Sequence, residues 1–83
     1  MTIFNEITDK RELDELLKEL RSSQETLKNC VIVAKDIITR RVSRPEYIRS
    51  AQRRLFPLFQ QMLVEVRELI AEAKEQRSNV QHN

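Results

Sequence analysis

Val42-Ser43-Arg44-Pro45-Glu46-Tyr47 is the point at which this 83-residue chain is punctuated. The Ser43 side chain can accept an early backbone N–H of a helix, and Glu46, three residues on, can reach back to the serine. Pro45 falls in the first turn, where its missing N–H costs nothing, and Val42 can staple onto Tyr47. A helix is therefore predicted to start here, and the segment before it to end here.

Downstream, Ile48, Ala51, Leu55, Phe56, Leu58, Phe59, Met62, Leu63, Val66, Leu69, Ile70 and Ala73 recur at helical intervals over an arc of roughly 160°. Pro57 interrupts this pattern, lacks a hydrogen-bond donor and should bend the helix. Counted from Ile48 at about 100° per residue it falls on the solvent side, which favours a kink over a break. From Lys74 the apolar period fades.

Upstream, Asp9-Lys10-Arg11-Glu12 offers a capping pair. Leu13, Leu16, Leu17, Leu20, Leu27, Val31, Ala34 and Ile38 then keep one phase, the mark of an amphipathic helix. Cys30-Val31-Ile32-Val33-Ala34 could be read as a buried strand, but the stripe runs through it unbroken and no turn residues bracket it. Ser22 followed by Glu25 is a second capping box, so residues 22–23 are the one place where a break would give three helices. Ile3, Phe4 and Ile7 are out of phase with the stripe and fit either a turn folded over the helices or an unstructured leader.

The predicted fold class is all-α: an antiparallel helical hairpin of two long helices that completes a bundle by self-association or with a partner. The single domain, 1–83, divides into a leader (1–8), a first arm (9–42), a second arm (43–77) and a flexible tail (78–83). Each arm is on the order of 50 Å long at 1.5 Å per residue. Leu20, Leu27, Val31, Ile38, Leu55, Phe59, Met62 and Val66 are the expected seam. A chain this short buries only about two thirds or less of its unfolded surface, so a partner or a second copy is expected from the outset.

The sequence contains no glycine, which excludes phosphate-cradling loops and dinucleotide fingerprints. One cysteine, Cys30, and one histidine, the penultimate His82, make neither an internal disulfide nor a metal set. The expected compartment is the reducing cytoplasm, with neither a membrane span nor a cleaved signal. The carboxylates read as solvated helix faces, several with a basic residue at helical spacing, and Cys30 lies among aliphatics, so no catalytic or cofactor-binding residue is expected.

Charge is unevenly placed. Residues 1–39 carry six basic and eight acidic side chains and residues 55–83 carry three and four, whereas residues 40–54 hold Arg40, Arg41, Arg44, Arg49, Arg53 and Arg54 against Glu46 alone. Arginine pairs bidentately with carboxylate or phosphate, which suits recognition. Ile32 and Val33 project roughly 120° and 140° to either side of the seam, Ile37 is also well off it and Val64 is nearly opposite the seam of the second arm; Ile32 and Val33, with Phe56, form the apolar contact set. The expectation is a non-enzymatic protein–protein interaction module of the adaptor, co-chaperone, assembly or regulatory kind, most simply a homodimer. In it, Ile32, Val33 and Phe56 make the apolar contact and the six arginines steer an acidic partner. The alternative is a small nucleic-acid-binding or transcription-regulating protein that sets the same arginines on phosphates.

Overall fold

The structure, a computed structural model, describes residues 3–40 and 44–81, and within them the chain is all-α with no strand. A turn over residues 3–6 leads into α1 (Lys10–Arg40); then follow α2 (Pro45–Ser50), a π-helical turn (Ala51–Leu55) and α3 (Phe56–Gln81). The last three are continuous and form one bent second arm. The molecule is a rod, 56 × 19 × 13 Å.

At the start of α1, an Asp9 carboxylate oxygen accepts the Arg11 N–H at 2.9 Å, the cap expected of that residue. The helix then runs unbroken through Ser22-Ser23. The Thr26 hydroxyl donates to the Ser22 carbonyl at 3.2 Å, a bond one turn back that the intact helix accommodates. Ser43, Val42 and Arg41 lie outside the described residues. The first residue of the second arm's cap is Arg44, in extended conformation and without a side-chain cap bond; Pro45 occupies the first helical position.

Pro57 is exposed, and the helix is bent, not broken. The bend has a definite form: the Phe56 N–H reaches back five residues to the Ala51 carbonyl. Proline cannot donate to the carbonyl four residues before it and its ring crowds that carbonyl, so a wider turn just upstream relieves both problems. Beyond it α3 continues to Gln81, so the flexible tail expected from residue 78 is helical as far as Gln81. No glycine or proline stops it, and Gln76, Arg77 and Val80 are at least half-buried there.

The arms touch along their length. Asp14 pairs with Arg77, Leu17 packs with Ile70 and Ala73, and Ala34 lines a groove with Leu55 and Phe59. Rising positions of the first arm thus meet falling positions of the second. The buried apolar residues are Leu13, Leu17, Leu27, Ala34, Ala51, Leu63, Ile70 and Ala73. Three of these are alanines, and each larger aliphatic contributes only roughly 1.5–3 kcal/mol, so the core is thin. Leu55 and Met62, expected in the seam, are exposed instead, as is Leu58.

The leader is ordered against this core. The Ile7 N–H donates to the Phe4 carbonyl at 3.0 Å, Phe4 packs on the Leu17–Ile70–Ala73 cluster, and the buried Gln76 amide donates to the carbonyls of Asn5 and Ile7.

Candidate interaction surface

Among the described residues, a strongly apolar groove of about 370 Å³ lies between the arms, toward the joint end. α1 supplies Thr26, Asn29, Cys30, Val33, Ala34 and Ile37; the second arm supplies Leu55 from the π-helical turn and Phe59 from α3. Two features open it. Ala34 leaves room where a larger residue would fill the space between the arms, and the wide turn before Pro57 ends on Leu55, which remains 37% exposed. Val33, 58% exposed, stands on the rim.

The predicted contact residues do not gather on one surface. Val33 lines the groove, but Ile32 belongs to a separate shallow depression with Lys35, Asp36 and Thr39. Successive helical residues diverge by about 100°, so adjacent exposed aliphatics serve different faces. Phe56 is half-buried and does not line the groove. Leu55, Phe59 and Cys30 were not expected to line a surface groove, whereas Ile37 was expected off the seam. The α1 part of the groove was signalled by the repeats Leu16–Ser23–Cys30–Ile37 and Glu12–Glu19–Thr26–Val33, whose seven-residue steps keep one face of a helix; Leu55 and Phe59 carried only the seam's periodicity.

The arginines are also divided. Arg40 is engaged with Asp36, Nε to Oδ1 at 2.8 Å, so part of the positive excess is neutralised locally by a carboxylate one turn back. Arg41 lies outside the described residues, and Arg44 is exposed at the cap of α2. Arg49, Arg53 and Arg54 come together around a depression shared with Glu46 and Ser50. Tyr47, also on α2, is exposed.

At the opposite end of α1, Glu12, Glu15 and Glu19 line a second depression with Ile7, Arg11 and Leu16. This acidic patch and the apolar groove lie on the same face of α1, since Glu12, Glu19, Thr26 and Val33 are successive steps of seven. Among the described residues no group of three His, Cys, Asp or Glu side chains is placed to hold a metal ion, and no helix is long and apolar enough to cross a membrane.

No protein-family model, no curated protein and no solved structure matches the chain. Its surface is therefore interpreted from its own chemistry.

Proposed function

We propose that this chain is an antiparallel helical hairpin that works without catalysis as a protein–protein interaction module, docking a helical partner surface into the groove between its arms. The observation that carries this reading is the groove itself: Val33 and Leu55 remain exposed beside the part-buried Phe59 in a molecule whose own core is thin. Apolar area left in water on a small domain is area that association would bury, at roughly 25 cal/mol per Å². Arg49, Arg53 and Arg54 at the joint end would orient a partner with acidic side chains, acting on encounter and register more than on affinity.

The test is affinity capture from the native lysate with three forms of the full chain: wild type, Val33→Asp and Ile32→Asp. A partner held by wild type and Ile32→Asp but lost with Val33→Asp supports the groove. Capture unaffected by Val33→Asp refutes it.

A second reading, nucleic-acid binding, is favoured by the exposed Tyr47 on the same arm as the gathered Arg49, Arg53 and Arg54. It requires that a random duplex bind at low salt and be released by added salt or by Arg49→Ala with Arg53→Ala. Absence of binding at low salt removes it.

A further inference from the structure

We propose that the groove's occupant is a second copy of this chain, laid face to face and end for end, so that the arginine-bearing end of each copy lies over the acidic stretch of the other; this rests on the docking reading above and names its partner.

The argument begins with the order of chemistry along one face. On α1, the seven-residue steps Glu12–Glu19–Thr26–Val33 pass from carboxylates to the apolar groove as the chain approaches the joint. On the second arm, Arg54 comes first, Leu58 follows one turn later, and Glu65 and Glu72 continue in steps of seven. Leu58 and Met62, which follow Leu55 by one and two turns, are 52% and 40% exposed. Both arms therefore present apolar residues toward the joint and carboxylates away from it, with arginine at the joint end. Steps of three, four and seven residues hold these positions on one side of each helix.

Such a face is complementary to itself in only one orientation. Two copies stacked parallel bring their arginine-rich ends together and their glutamates together, and like charges brought face to face are repulsive. With a two-fold axis crossing the arms at Phe59, each helix lies over its own copy running the other way. Arg54 precedes Phe59 by five residues and Glu65 follows it by six, so Arg54 of each copy then lies over Glu65 of the other. The same operation brings the Cys30–Val33 stretches of the two first arms together at the centre and closes four helices around the apolar residues of both grooves. A two-fold interface uses one patch on both subunits, which is what this self-complementary charge order provides.

The size is sufficient. With the axis at Phe59, the faces overlap over about 42 Å, twice the roughly 21 Å from Pro45 to Phe59 at 1.5 Å per residue; across the 19 Å width this outlines roughly 800 Å², the area per partner of a standard stable interface. The opposite occupant, a foreign helix with acidic residues, would use the arginine end but set its carboxylates against Glu19 and Glu65 farther along the same face.

The experiment is analytical ultracentrifugation of the full chain and of Val33→Asp, Arg54→Glu and Glu65→Arg, each checked for unchanged helicity by circular dichroism. All three side chains are exposed, so folding is preserved. The wild type is expected to be a dimer in the micromolar range and Val33→Asp a monomer. Arg54→Glu and Glu65→Arg are each expected to dissociate at least about tenfold more readily. An equimolar mixture of these two should associate again, because each mixed pair restores opposite charges at both contacts. A wild type that is monomeric throughout this range overturns the proposal, as do a Val33→Asp dimer and a mixture no tighter than its components. If the wild type is monomeric yet still captures another protein through Val33, the docking reading stands and only the second copy is wrong.

Discussion

Gln76 and Ile7 are joined by a hydrogen bond of 2.9 Å, from the Gln76 side-chain amide to the Ile7 carbonyl, across 69 positions of sequence. The same nitrogen lies 3.3 Å from the Asn5 carbonyl, and Gln76 is 6% exposed. A buried amide is tolerated because the leader supplies acceptors, and the leader is held in place because the amide donates to it. Gln76→Ala is expected to cost about 1–3 kcal/mol. Urea unfolding should show the loss, and proteolysis should cut the variant first between residues 3 and 8.

Phe4 covers the Leu17–Ile70–Ala73 cluster from outside. Leu17→Ala should destabilise by about 2–5 kcal/mol, and Phe4→Ala by less than full burial of a phenyl ring would cost, since Phe4 is only half-buried. Because the residues share one cluster, the double variant should be non-additive by about 0.5–3 kcal/mol. Strict additivity would mean that the leader does not pack there in solution.

Asp14 and Arg77 form an ion pair between the far ends of the arms, with both side chains partly exposed. A double-mutant cycle with Asp14→Asn and Arg77→Gln should return about 1 kcal/mol or less, shrinking as salt is added. A larger, salt-independent coupling would contradict the exposure of the pair.

Pro57 accounts for the π-helical turn. Pro57→Ala supplies an N–H that can bond four residues back to the Arg53 carbonyl, so the turn should tighten toward α geometry and change the presentation of Leu55 at the groove. Stability should change by about 1 kcal/mol or less. Backbone chemical shifts should change over residues 51–58, and groove-dependent association should weaken. An unchanged π-helical pattern would show that core packing of Ala51, not the proline, sets it.

Much of the architecture was legible in local sequence. The Asp9 cap, the phase shared by Leu13, Leu17, Leu27 and Ala34, and the punctuation at Pro45 each depend on neighbours within one or two turns, so they could be read from spacing alone. The position of Pro57 on the solvent side follows in the same way. The candidate surface was less legible. Ile32 and Val33 are adjacent in sequence and equally aliphatic, but only Val33 lies where the second arm forms the other wall of a groove. Leu55 and Met62 carry the seam's periodicity and still stand exposed, because a 3.6-residue period gives the direction of a side chain on its helix and not whether another helix reaches it.

Sequence by itself therefore determined the all-α character, the two long apolar stripes, the joint within Val42–Tyr47 and the concentration of arginine around it, because these arise from hydrogen-bonding capacity, dihedral limits and composition within a few residues. Only the tertiary structure decided that Gln76 anchors the leader, and that Val33, Leu55 and Phe59 share one groove while Ile32 stands apart. Most of those outcomes depend on which residues of one arm lie opposite which of the other, a distance set by packing, not by position in the chain.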